Sequence, residues 1–104
     1  MGKYKVTLSE KAIDDLVDIS AYISKELLDQ PAAEKLVEKF QESIESLSHM
    51  PKRHTLLQDK ELATMGVRRI LIDNYIVFYI CLDKDMSVSV VRVLYSKRDW
   101  KHLI

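Results

Sequence analysis

The chain has 104 residues, carries no net charge at pH 7 and is 47% hydrophobic, with two glycines and two prolines. That length sets a single domain, residues 1–104, with one modest core, and so little Gly and Pro excludes long disordered tracts. No apolar run reaches membrane-spanning length, no apolar leader follows Met1-Gly2-Lys3, and the lone Cys81 excludes an internal disulfide, so a cytoplasmic location without membrane association is expected.

Tyr4 to Leu8 is β-branched and partly alternating, which predicts a first strand. Ser9 is placed to cap a helix, with Glu10 favourable in its first turn. Ile13, Leu16, Val17, Ile23 and Leu27 recur at helical spacing while Asp14, Asp15 and Asp18 take the other side, so an amphipathic helix of several turns is expected. Asp29-Gln30-Pro31 breaks and restarts the helix, because Pro is tolerated at a first helical position. The second helix carries Ala33, Leu36, Val37, Phe40, Ile44 and Leu47 on one stripe, and Pro51 stops it near His49. A joint this short folds the two helices into a hairpin.

Residues 51–66 have no clean period and read as a loop with room for one helical turn, long enough to be functional. Gly66 precedes a strand from Val67 to Ile72, and Asp73-Asn74 is a two-residue hairpin signal. Tyr75 to Leu82 is nearly all apolar, as suits a central strand; Asp83-Lys84-Asp85 turns the chain, and Ser87 to Tyr95 forms the last strand. The expected fold class is therefore α+β in the order β-α-α-β-β-β, with the helical hairpin on one face of a small antiparallel sheet. The other face has to be partly polar or covered by a partner.

Charge is unevenly placed. Acidic residues outnumber basic ones before Pro51, the balance reverses from Lys52 onward, and every arginine (Arg53, Arg68, Arg69, Arg92, Arg98) lies in the second part. Arginine makes bidentate contacts to phosphate and carboxylate, so one side of the molecule is suited to an anionic partner. The last strand leads into Tyr95-Ser96-Lys97-Arg98-Asp99-Trp100, which mounts a phenol, cations, a carboxylate and an indole at a rigid strand end.

The remaining polar groups have ordinary explanations. His49 and His54 read as solvated loop histidines without metal-ligand spacing, His102 reads as exposed, and no metal or cofactor is expected. Cys81 reads as a small core residue. Tyr75 and Tyr79 share a strand face and are expected to pack there. Arg92 is expected to pair with Asp73 or Asp99, and Asp99 to orient Arg98 rather than act as a base.

Several stretches match one family in order and spacing. They are Tyr4-Lys5-Val6 followed by Ser9-Glu10-Lys11-Ala12, Leu47-Ser48-His49-Met50-Pro51, Gly66-Val67-Arg68-Arg69-Ile70 and Asn74-Tyr75-Ile76-Val77-Phe78-Tyr79. The most telling is Val91-Arg92-Val93-Leu94-Tyr95-Ser96-Lys97-Arg98-Asp99-Trp100. Over nearly its whole length the chain resembles the RelE/ParE superfamily of bacterial type II toxin–antitoxin toxins. The resemblance implies a small growth inhibitor, of the kind that stabilises plasmids, neutralised by a cognate antitoxin that wraps it with an extended, partly helical segment.

The superfamily has two targets. RelE-like members cut messenger RNA in the ribosomal A site, whereas ParE-like members inhibit DNA gyrase and lack the nuclease constellation. Metal-free RNA cleavage needs a base, an acid and cationic donors for the phosphorane. In this chain Arg68, Arg69 and Arg98 are the positions that match nuclease cations, with Tyr95 and His102 as acid or base groups. The third strand departs from that pattern: Ile76 stands where the nucleases commonly carry arginine, and no tyrosine follows Trp100.

The resemblance therefore favours the ParE-like branch and a binder rather than an enzyme. Arg92, Tyr95, Lys97, Arg98, Asp99 and Trp100 are the expected target-binding residues, with DNA gyrase as target. A ribosome-dependent messenger RNA endoribonuclease is the alternative, and a non-toxic relic that only binds the antitoxin is a second. Alanine at Arg98 or Trp100 is expected to abolish toxicity with the fold intact. The oligomeric state stays open.

Overall fold

A computed structural model describes residues 3–26 and 28–104. Strand β1 (Lys5–Leu8) leads into helix α1 (Glu10–Ala21), where the Ser9 hydroxyl accepts from the Ala12 amide at 3.1 Å and caps the first turn. A π-helical turn, Tyr22–Glu26, follows directly. Helix α2 (Gln30–Ser46) starts at Asp29, whose carboxylate accepts from the Ala32 amide, and holds Pro31 in the first turn, where its missing N–H costs nothing. Turns at Leu47 to His49 close the helix ahead of Pro51.

The one helical turn allowed within residues 51–66 is α3 (Lys60–Thr64), capped by the Asp59 carboxylate on the Leu62 amide. Gly66, at φ +80°, then turns the chain through a left-handed conformation that a side chain would strain. Strands β2 (Val67–Ile72), β3 (Tyr75–Leu82) and β4 (Ser87–Tyr95) make the expected antiparallel meander.

The sheet order is β1-β4-β3-β2, which puts the apolar β3 between two neighbours. The α+β fold class holds with one difference in the sheet. β1 adds to β4 in parallel, with Lys5 opposite Ser87 and Leu8 opposite Val90. The segment between them carries both long helices, ample for the crossover that a parallel pair needs.

The hairpin covers one face of the sheet, called here the inner face. Ala12, Ile23, Leu36, Phe40 and Ile44 meet Val77, Tyr79, Val88, Val90 and Val93 there. Burying each large apolar side chain contributes about 1.5–3 kcal/mol. The buried line of α1 is offset from the expected stripe. Ala12 is fully buried and Leu16 and Ile19 pack partly, whereas Ile13 and Val17 are 49% and 61% exposed. The small Ala12 lets the helix approach β4 closely, and that approach fixes which side faces in. Val37 on α2 is likewise exposed, and Leu27 lies outside the described residues.

The outer face is not left to a partner. Val67, Ile76, Phe78 and Leu94 are covered by Leu57 and Leu62 from one side, and by Trp100, Leu103 and Ile104 from the other. Residues 55–57 also run along the free edge of β2, with the Leu57 amide on the Val67 carbonyl at 3.1 Å and the Arg69 amide on the Thr55 carbonyl at 3.3 Å.

Tyr79 ties the segment after α2 to the core. Its buried hydroxyl donates to the Pro51 carbonyl at 2.6 Å, and burial pushes the phenol up to about 12. Tyr79→Phe should cost about 1–2 kcal/mol in urea unfolding. The pH profile is a second reading. The folded phenol titrates above its ordinary 10.0, so its contribution is complete below pH 10 and is lost as pH rises toward 12. Tyr79→Phe should flatten that alkaline slope, and an unchanged slope would remove Tyr79 from the account.

His54 corrects the expectation of a solvated loop histidine. Its ring stands edge-on to Tyr79, centroids 6.2 Å apart, with Nε2 buried and unpartnered among the described residues. Burial and nearby Arg53 lower its pKa, which favours neutral imidazole. His49 and His102 are exposed as expected, and Cys81 is only partly buried.

Candidate functional site

The second half of β4 is supported by a helix rather than by a strand. β1 ends at Leu8, opposite Val90. From there α1 takes over the edge: the Ser9 amide donates to the Val90 carbonyl at 2.9 Å and the Ser9 hydroxyl to the Val91 carbonyl at 2.8 Å. Val91 is the extra residue of a bulge, since Phe78 faces Arg92 while Tyr79 faces Val90. Beyond the bulge the Val93 amide donates to Asp15 Oδ2 at 2.9 Å.

Arg92 pairs with the same carboxylate. Its Nε and Nη2 donate to Asp15 Oδ2 and Oδ1, both at 2.8 Å, and its Nη1 donates to the Leu103 carbonyl at 2.8 Å. The side chains are only 15% and 11% exposed, so the pair is poorly screened. Arg92 was expected to pair with Asp73 or Asp99. Asp73 is instead held by Lys39 at 3.0 Å and Asp99 lies 3.6 Å from His102. The bulge aims Arg92 at α1, and helical spacing assigned Asp15 to the solvent side only because the strand edge was invisible.

Past Tyr95 the chain folds over the outer face. The Ser96 amide donates to the Asn74 carbonyl at 2.8 Å and the Arg98 amide to the Tyr95 carbonyl at 3.1 Å. Trp100 then packs on Phe78 with ring centroids 5.0 Å apart, and Lys101 reaches Asp59 at 2.6 Å. The last short turn, Lys101–Leu103, is fixed by Arg92.

This arrangement leaves an open groove of about 630 Å³ between α1 and the adjoining ends of β3 and β4. Asp18, Tyr22, Asn74, Tyr75, Tyr95 and Arg98 line it. Tyr75 meets Phe40 below it and Tyr95 beside it, both edge-on at 5.8 Å. Burial, with Tyr22 and Tyr95 close by, pushes the Tyr75 phenol up and keeps it neutral at physiological pH.

The expected target-binding residues therefore occupy different settings. Tyr95 and Arg98 line the groove, while Lys97 and Asp99 are exposed. Trp100 is half-buried, and Arg92 is held at the edge of β4 by Asp15 and the Leu103 carbonyl. Sequence reasoning passed over Tyr22 and Asp18; their helical spacing along α1 was the available signal.

Of the residues matched to nuclease groups, Tyr95 and Arg98 share the groove, and Arg68 and Arg69 do not join them. Arg68 faces inward, opposite Tyr79, and donates to the His54 carbonyl at 2.6 Å. Arg69 is opposite Phe78, on the outer face. Tyr95 is opposite Tyr75 at the far end of β3, about 13 Å from the level of Arg68 at strand rise. His102 is 81% exposed on the terminal turn. Ile76 is buried in the outer cluster, where it packs. Among the described residues no group of His, Cys, Asp and Glu is placed to hold a metal, and no helix is long and apolar enough to cross a membrane.

Residues 6–100 match the family described as the ParE toxin of the type II toxin–antitoxin system parDE. Among solved structures, the chain is similar to one from the chromosomal ParDE toxin–antitoxin system of P. aeruginosa. That likeness has a TM-score of 0.75 at 15% identity, over 91% of this chain and 98% of the other. It is also similar to a chain of the RelBE2 toxin–antitoxin complex of Mycobacterium tuberculosis, with a TM-score of 0.62 at 21% identity over 91% and 93%. A chain of the intact E. coli RelBE complex gives a TM-score of 0.52 at 18% identity over 91% and 99%. No curated protein sequence matches the chain.

Proposed function

The chain belongs to the ParE toxin family of type II toxin–antitoxin systems, and from that premise we propose that it arrests growth by binding DNA gyrase rather than by cutting RNA. The observation that carries this reading is the dispersal of the nuclease-matched groups. In-line attack on a phosphate needs base, acid and cationic donors within hydrogen-bond reach of one atom. Arg68 and Arg69 lie on opposite faces, and the Ile76 side chain is apolar and buried.

Binding makes a smaller demand, a rigid surface with a few anchors. The turn Tyr95 to Trp100 meets it: the backbone is pinned at Ser96 and Arg98, and the indole is fixed against Phe78. Lys97 and Arg98 are exposed for carboxylates of the target, and aromatic and arginine side chains are frequent interface hot spots.

The inhibitor's natural counterpart in this reading is a cognate antitoxin, met in a cytoplasmic setting. The hairpin offers it an apolar groove lined by Val6, Leu8, Leu16, Val37, Phe40 and Ile44, with Ile13 and Val17 exposed beside it. A segment with an apolar face fits such a surface.

Immobilised gyrase should retain the purified toxin, and Arg98→Ala should weaken that binding about tenfold, as expected for losing one charged interface contact. Arg98 is exposed, so the variant should unfold at the same urea concentration as the parent. Equal retention of both proteins would remove Arg98 from the contact, and no retention of the parent would overturn gyrase as target.

A further inference from the structure

We propose that the groove between α1 and the ends of β3 and β4 receives one basic side chain, Arg or Lys, of the protein target, with Asp18 as counter-ion and Tyr22, Tyr75 and Tyr95 as aromatic walls. This rests on the reading above that the target is a protein, and extends its contact surface from the terminal turn onto α1.

The charge of the groove favours a cation. Two aspartates line the groove, and they are not equivalent. Asp15 is consumed by Arg92 and the Val93 amide. Asp18, one turn further along α1, is exposed and pairs with no cation among the described residues. The groove therefore presents an unneutralised carboxylate directly beside a neutralised one.

The aromatic lining favours a cation as well. The face of a phenol ring carries negative potential and attracts ammonium and guanidinium groups. Tyr75 and Tyr95 meet edge-on at 5.8 Å and both line the groove. Tyr22 joins them from the end of α1, four residues after Asp18 and therefore on the same helix face. It is half-exposed there, while the next residue, Ile23, is in the core.

The groove is also continuous with the terminal turn. Tyr95 and Arg98 belong both to the groove and to the terminal turn. Arg98, which also lines the groove, supplies donors for carbonyls or carboxylates flanking the incoming side chain. The groove thus reads a basic residue on the α1 side and acceptors on the β4 side, a polarity that an acidic insertion would reverse.

The test uses toxin carrying 13C-labelled tyrosine and two probes, the capped tripeptides acetyl-Gly-Arg-Gly-amide and acetyl-Gly-Glu-Gly-amide. Ring signals of Tyr22, Tyr75 and Tyr95 should move with the arginine peptide and stay still with the glutamate peptide. Asp18→Asn, isosteric and exposed, should weaken that binding several-fold and lower gyrase inhibition about tenfold, with antitoxin binding unchanged. Tyr22→Leu should do the same and provides a second variant. Equal shifts with both peptides, no shift with either, or unchanged inhibition by Asp18→Asn would overturn the groove. A parent toxin that binds the arginine peptide here yet leaves gyrase untouched would overturn the gyrase reading while the groove's cation preference stands.

Discussion

Asp15→Ala is expected to destabilise the protein by about 3 kcal/mol, more than loss of a surface ion pair would suggest. The carboxylate does three things together. It accepts the Val93 amide where β4 has no neighbouring strand, it holds Arg92 bidentately, and through Arg92 it holds the Leu103 carbonyl. Alanine leaves a poorly exposed guanidinium without its charge partner and a strand-edge amide without an acceptor. Asp15→Asn keeps one oxygen to accept from Val93 and Arg92 Nε and loses the charge and the acceptor for Arg92 Nη2, so it should cost less than alanine. Urea unfolding of the three proteins checks the order. Equal stability of parent and Asp15→Ala would mean that α1 and the helix-supported edge of β4 hold without this network.

Trp100→Ala is expected to cost about 2–3 kcal/mol, below the range for truncating a fully buried aromatic because the indole is only half-buried. The ring closes the outer cluster over Phe78, next to Leu103 and Ile104. Its removal should loosen the terminal turn, so hydrogen exchange at Arg98 to Leu103 should accelerate along with the fall in stability. This departs from the expectation, formed on sequence, that alanine at Trp100 leaves the fold intact. Loss of toxicity in that variant would combine a missing contact with a displaced tail, and Arg98→Ala is the cleaner probe. A Trp100→Ala protein with parental stability and exchange would place the indole outside the core.

The element order was legible because each element carries its own signals. Ser9 and Asp29 cap helices, Pro31 and Pro51 bound α2, and the apolar run from Tyr75 marks the central strand. What sequence could not give was the relation between elements. Nothing local to Lys5–Leu8 says that the strand adds to β4 in parallel, or that it stops at the level of Val90 and leaves an edge for α1 to satisfy. The reading of Asp15 as a solvent-facing helix residue and the search for a partner to Arg92 among nearby loop carboxylates failed for that one reason.

The candidate site was half legible. Tyr95 and Arg98 were marked by their place at the end of a strand. Trp100 was marked too, but its packing depends on Phe78, a contact between the terminal turn and β3 that no spacing predicts. Tyr22 follows Asp18 at helical spacing, but nothing within α1 says that this face borders the ends of β3 and β4.

The most direct measurement sets purified toxin in two parallel reactions, supercoiling by DNA gyrase and messenger RNA cleavage on programmed ribosomes. Loss of supercoiling with intact RNA is the predicted result. Ribosome-dependent cuts with normal supercoiling would contradict it, and would require Arg68, Arg69, Arg98, Tyr95 or His102 to be brought together by the ribosome in a way that the free toxin does not arrange.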